Sequence, residues 1–195
     1  MAELPARTRV RDVELMRALA HPLRSALLNY LMAVGPRTAS ECAAAVDSTA
    51  SNCSWHLRQL GTWGLVERVE ATDGRERPWR ATQVGLDFGD LDGDLDVRAA
   101  QLAAAGTSIG ADRELTERFL DTAGSLDPEW QRAATFSTYS LRVSPDELAA
   151  LNAAIDALVR PYVTTIRTDA PADARTVHGS WRSFPRIEAD GTFSS

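Results

Sequence analysis

Residues 36–82 are punctuated so closely that few folds can hold them. Gly35-Pro36 ends one helical run, since glycine takes the left-handed cap and proline cannot continue a helix. Thr38 and Glu41 then make a Thr-x-x-Glu capping box, which starts a short helix reaching about Val46. Asp47, Ser48 and Thr49 form a tight turn, and the next helix runs from about Ala50 to Leu60. Ala50, Cys53, Leu57 and Leu60 recur at intervals of 3, 4 and 3, the spacing of one buried helix face. Gly61 and Gly64 stop that helix. Leu65 to Glu70 and Arg77 to Thr82 read as two strands, with Thr72-Asp73-Gly74 as their turn. Arg75, Arg77 and Arg80 cluster at or near the tip of that hairpin.

Two helices precede this unit. Val10, Val13, Leu15, Met16 and Leu19 mark the first, ending near Ala20. His21-Pro22 opens the second, whose stripe is Leu23, Ala26, Leu27, Tyr30, Leu31 and Val34. Residues 1–9 read as a flexible arm in which Arg7 and Arg9, with Arg11 beyond it, offer positive charge. Residues 87–95 read as an acidic linker, and helices follow at about 96–106 and 112–124. Thr135 to Val143 is rich in strand formers. Ser144-Pro145-Asp146-Glu147 is another helix start, opening a helix to about Thr164. Ala174 to Phe184 reads as a last strand, and 189–195 as a disordered tail. The expected fold is mainly α with a small β-wing over residues 10–86, a helical segment over 96–124, and an α+β region over 125–188.

Charge divides along the same line. Residues 1–85 hold 11 Arg and 9 acidic residues, a net of +2, whereas residues 86–195 hold 10 Arg and 18 acidic residues, a net of −8. A slightly basic half suits an anionic partner, and an acidic half suppresses indiscriminate binding to one. All of the basic side chains are Arg, which brings bidentate contacts to phosphate and guanine. The N-terminus has no apolar leader run, and no stretch approaches the roughly 20 apolar residues of a membrane span, so the expected location is cytoplasmic.

Two cysteines are too few for a disulfide scaffold. His21, His56 and His178 are scattered, without the spacing of metal ligands, so no zinc site is expected. Asp90, Asp92 and Asp94 imitate the start of a calcium loop, but Leu95 stands where that loop needs glycine and Gln101 where it needs glutamate. No phosphate loop or nucleophile elbow is present, so the chain is read as a non-enzyme without a cofactor.

Residues from about 10 to 86 resemble the winged-helix repressors of the arsenical-resistance-repressor (ArsR) family. The resemblance lies in Arg17-Ala18-Leu19-Ala20-His21-Pro22-Leu23-Arg24, in Gly35-Pro36, and in Ser51-Asn52-Cys53-Ser54-Trp55-His56-Leu57-Arg58-Gln59-Leu60. Gly64-Leu65-Val66 and the arginine-bearing wing complete it. The nearest likeness is to the longer members with an added C-terminal region. Where metal-sensing members carry Cys-x-Cys, this chain has Thr38 and Ser40, so metal sensing is not implied.

The resemblance implies a helix-turn-helix on double-stranded DNA, with helix 50–60 in the major groove and the wing on flanking DNA. The candidate contacts are Thr38, Ser48, Thr49, Ser51, Asn52, Trp55, His56, Arg58, Arg75 and Arg77. Asn can pair bidentately with adenine, Ser and Thr can serve any base, and wing arginines suit phosphates or a minor groove. Other roles stay open: Thr38 and Ser48 as helix caps, His56 as a structural histidine, Trp55 as packing under the wing, the wing arginines as solubilising charge. Cys42 and Cys53 face the core as small apolar groups, with a redox pair as the alternative.

The resemblance further implies a homodimer, joined through the first helix and the helix near 96–106, where Ala99, Leu102, Ala103 and Ile109 permit close packing. In the C-terminal region Trp130, Phe136, Tyr139 and Trp181 are candidates to line a pocket for a small apolar effector; a plain structural core is the alternative. The resulting expectation is a homodimeric transcriptional repressor with no membrane association. The competing one is a winged-helix protein–protein interaction module that uses the acidic half as a docking surface.

Overall fold

Helix starts foreseen from capping residues are capped in that way. The computed structural model describes residues 5–70, 77–88 and 94–194. In chain order the elements are β1 (Thr8–Arg9), α1 (Val13–Leu19), α2 (Pro22–Val34), α3 (Ala39–Ala45), α4 (Ala50–Thr62), β2 (Val66–Arg68), β3 (Trp79–Ala81), β4 (Leu86–Asp87), α5 (Leu95–Thr122), α6 (Pro128–Ala133) and α7 (Pro145–Val159). The fold is mainly α with a small β-wing. Asp12 caps α1 and Asp94 caps α5, each carboxylate accepting from a first-turn N–H at 3.0 Å. Thr38 and Ser144 head complete capping boxes with Glu41 and Glu147. In both boxes the bonds to the carboxylate hold its pKa below the usual range. Gly35 ends α2 at φ 78° and ψ −159°, a positive-φ conformation that favours glycine but is not the left-handed helical cap.

One core sits among α1, α2, α3, α4 and the wing. Leu27 and Leu31 from α2, Cys42 from α3, and Cys53, Leu57 and Leu60 from α4 are all fully buried. Each buried leucine contributes about 1.5–3 kcal/mol by leaving water. Trp79 of β3 closes the core from the wing side. It packs so tightly over Gly61 that a Cβ there would meet the indole at 3.3 Å. That contact is why a glycine stands in the last turns of α4.

The wing ladder is antiparallel, with Val66 opposite Ala81, Glu67 opposite Arg80 and Arg68 opposite Trp79. Arg37 bridges to the other side of Trp79 through reciprocal backbone bonds of 2.9 and 2.7 Å. The strands are shorter than their sequence pattern suggests, and the turn at 72–74 lies outside the described residues.

Four expectations need correction. The described part of the supposed free arm is paired: β1 runs parallel to β4, and Arg7 makes an ion pair with Asp156 at 3.2 Å, while residues 1–4 lie outside the described residues. The two helices foreseen at 96–106 and 112–124 are one helix of 28 residues, about 42 Å long. Gly106 and Gly110 do not break it, since a helical glycine costs only about 1 kcal/mol. Tertiary anchors hold that stretch instead, with Gln101 donating to the Phe88 carbonyl at 2.6 Å and Thr107 to the Ala20 carbonyl at 2.9 Å. The segments foreseen as strands at 135–143 and 174–184 form neither helix nor ladder. The tail foreseen as disordered folds back at Gly191, with Ile187 bridging to Phe193. α6 was not foreseen at all; its six residues are too few to show a period.

Candidate nucleic-acid interface

The turn between α3 and α4 sets the exposure of everything on α4. Asp47 takes φ 49°, a left-handed conformation that Asp tolerates better than most residues. The chain then reverses, with the Ser48 N–H donating to the Ala43 carbonyl at 3.0 Å. Thr49 caps α4 by accepting from the Asn52 N–H at 3.2 Å, and the Asn52 amide donates to Ser48 Oγ at 3.2 Å. The first turn of α4 is thus held by its own polar side chains. Ser48 therefore acts both as turn residue and as partner to Asn52.

Burial divides α4 cleanly. Cys53, His56, Leu57 and Leu60 face inward. Ser51, Asn52, Trp55 and Arg58 face solvent, with Trp55 47% exposed. These four occupy adjacent helical rows, so they form one continuous polar and aromatic stripe. The Arg58 guanidinium donates to Ser54 Oγ at 3.0 Å, which holds it along the helix. Arg77 is exposed at the wing, and its carbonyl accepts from Arg68 at 3.3 Å. Arg75 lies outside the described residues. Thr38, half-buried at the head of α3, spends its oxygen on the Glu41 N–H, and its own O–H proton is still available to a further acceptor.

Two residues sit differently from the sequence expectation. Ala50 is exposed although it shares the period of the seam, because the turn carries it past the end of α3. His56 is only 5% exposed and does not belong to the solvent stripe. Its ring centroid lies 4.6 Å from that of His21 and 4.7 Å from that of Trp55. Burial pushes its pKa below 6.5, and the neighbouring His21 and Arg24 push in the same direction. A neutral, inward imidazole supports Trp55 from beneath, so it shapes the stripe without being part of it. The spacing 53, 56, 57, 60 carried that signal; the polar residue type obscured it.

Arg24 is not among the contacts expected from the sequence. Its guanidinium lies 5.8 Å from the Trp55 ring and donates to the Ala18 carbonyl at 3.3 Å. It thus ties α2 to the exposed aromatic of α4. Arg37 was missed as well. It stands at the junction of α3 and the wing, where a single bridging residue leaves no sequence pattern.

Cys42 and Cys53 are free thiols, both fully buried. Burial pushes the Cys53 thiol up, outweighing the bond from Ser48, which disfavours the reactive thiolate. Among the described residues no group of three His, Cys, Asp or Glu side chains could hold a metal ion. No described helix is long and apolar enough to cross a membrane.

The C-terminal aromatics do not converge. Trp130 lies under the Arg175 guanidinium at 5.2 Å, Phe136 against Phe119 at 5.7 Å, and Trp181 donates to Asn152 at 2.8 Å. Phe136 and Tyr139 are 66% and 67% exposed, so these side chains wall no pocket within one chain. A concavity of about 140 Å³ lies elsewhere, between α2, α5 and β4, lined by Leu28, Met32, Phe88 and Ala104 among others.

Residues 19–69 match a family model described as a helix-turn-helix domain. That span covers α2 through β2 and includes the whole turn and α4. No curated protein matches the chain. Among solved structures, a point mutant of Lactococcus lactis ZitR is similar at 18% identity and a TM-score of 0.31, covering 78% of this chain and 82% of its own. A MarR family transcription regulator gives 19%, 0.31, 81% and 82% in the same order. MepR, a transcription regulator of the Staphylococcus aureus multidrug efflux pump MepA, gives 18%, 0.30, 74% and 91%. These likenesses are too slight to bear on function.

Proposed function

We propose that this protein is a sequence-specific DNA-binding transcriptional regulator of the ArsR type, acting as a homodimeric repressor. The observation that carries the reading is the exposed stripe on α4. Ser51, Asn52, Trp55 and Arg58 stand on a capped helix behind a tight turn, with an arginine-bearing wing following it in the chain. A helix entering a major groove needs small polar groups at its start and an arginine further along, and this one has both. Ser48 and Thr49 at the helix head, with Thr38 at the head of α3, would meet the backbone, and Arg75 and Arg77 the flanking phosphates. His56 is withdrawn from that list, since it is buried.

Dimerisation through α1 and α5 fits the outer side of α5, where Ala99, Leu102, Ala103 and Ile109 are all exposed. Two wings and two α4 helices would then face half-sites about one DNA turn apart. An apolar effector remains part of the proposal. Its site would have to be completed by a second chain or lie in the concavity between α2 and α5.

Selection of bound fragments from random-sequence DNA tests the reading, followed by anisotropy titration of the selected site at several salt concentrations. A two-fold symmetric site with a steep negative salt slope is the expected result. Absence of enrichment would remove the DNA reading and favour the protein-docking alternative.

A further inference from the structure

Past Ala104 no described residue is buried. Among the described residues, 17 of the 19 exposed large apolar side chains lie between Leu95 and Phe193. The chain exposes 13667 Å², whereas a folded monomer of 21.2 kDa exposes about 9,100 Å² by the usual size scaling. The excess, roughly 4,600 Å² per chain, is far more than scattered surface apolar residues account for.

The backbone of the same region is unfinished too. Residues 134–144 and 174–186 form neither helix nor ladder. The first segment alternates as a half-buried strand does: Tyr139, Leu141 and Val143 fall on one face, Thr138, Ser140 and Arg142 on the other. All three apolar members are exposed. In the second, Val177 and Trp181 share one face and are exposed as well. The second segment is anchored. Thr176 donates to the Ala33 carbonyl at 3.1 Å, and Trp181 and Ser183 both donate to Asn152 at 2.8 Å. Chain that pairs with no other strand and carries an exposed apolar face is the kind of surface that natural proteins cover.

Charge and size narrow what covers it. DNA does not suit residues 86–195, which carry a net of −8. A stable obligate homodimer buries about 2,000–5,000 Å² in total, so two such chains have ample surface for one. Leu102 and Ile109 on the outer face of α5, where the dimeric reading already places a partner, are exposed as well. Exposed apolar side chains in this number need cover from the moment they are made, and a second copy is present wherever the chain is.

We propose that residues 134–194 of two copies fold together, with segments 135–143 and 174–184 becoming strands of a sheet shared between the chains. The inference rests on the dimeric reading above and adds the partner of the C-terminal half. What reads as an α+β region in sequence is then α+β only in the assembly.

The test uses the full chain. Sedimentation is expected to give twice the monomer mass, and hydrogen exchange to show protected amides in both segments. Methyl-labelled chains mixed with unlabelled ones are expected to show Overhauser contacts from Leu141 and Val143 to residues 134–194 of the other chain. Leu141→Asp is expected to weaken dimerisation at least tenfold while helicity stays unchanged. A monomer, a dimer whose segments exchange freely, contacts confined to one chain, or a folded Leu141→Asp protein that dimerises normally would each overturn it. The interchain contacts need no variant, so an unfolded Leu141→Asp protein does not blunt the test. DNA anisotropy on the same samples separates the two readings. Specific binding without a shared sheet sinks only this inference, and a shared sheet without DNA binding sinks only the regulator.

Discussion

Replacing Asn52 by alanine separates reading a base from holding a helix. Asn52 is exposed in the first turn of α4, and its side chain makes one bond, to Ser48 Oγ at 3.2 Å. Loss of an exposed hydrogen bond costs about 0.5–1 kcal/mol, and alanine returns a comparable amount in helix propensity. The cap is untouched, because Thr49 accepts from the backbone N–H of residue 52, which alanine keeps. The two changes nearly cancel, so unfolding midpoints in urea should be the same within error. On the selected DNA site the loss of a bidentate contact to adenine should cost about 1–3 kcal/mol, a factor of roughly 5 to 150 in Kd. That loss should vanish when the one base pair read by Asn52 is changed, since both proteins then lack the contact. The assay is anisotropy of Asn52→Ala and parent against the site and all its single-base variants. Equal weakening at every position would make Asn52 a backbone contact, and no weakening would take α4 out of the groove.

Three further outcomes follow from the same geometry. Arg77→Ala should weaken binding to all sequences alike and lower the salt slope by about 1, read from titrations at four salt concentrations. Leu57→Ala should cost about 3–5 kcal/mol in urea unfolding, because Leu57 is fully buried in the α4 seam; a cost under 1 kcal/mol would mean that seam is not packed as described. Folding keeps His56 below its free pKa of 6.5, so the stability tied to its neutral form is complete above that pH and declines as pH falls toward the folded value. Unfolding free energy should therefore drop between pH 7 and pH 5 less steeply in His56→Gln than in the parent, and identical slopes would show that the ring is not buried neutral.

Much of the candidate interface was legible because it depends on neighbours in sequence. Capping boxes, the Asp47-Ser48-Thr49 turn and the alternation of the wing are short-range devices, and the corresponding helices begin where those residues place them. His56 was misassigned since a histidine's side of a helix depends on what packs against that helix. Here α2 brings His21 and Arg24 up to the seam. Arg37 gained its place in the wing through a pairing with Trp79, forty-two residues away, that no local pattern records.

By itself the sequence determined the helix-turn-helix, the wing and the split in charge, all products of local propensity and period. The tertiary structure decided the rest. It made α5 one helix across two glycines, because anchors at Phe88 and Ala20 outweigh a small propensity cost. It paired β1 with β4 where the sequence suggested a loose arm. And it left segments 135–143 and 174–184 without a ladder, since strand formers favour an extended backbone but do not specify the chain that completes the ladder.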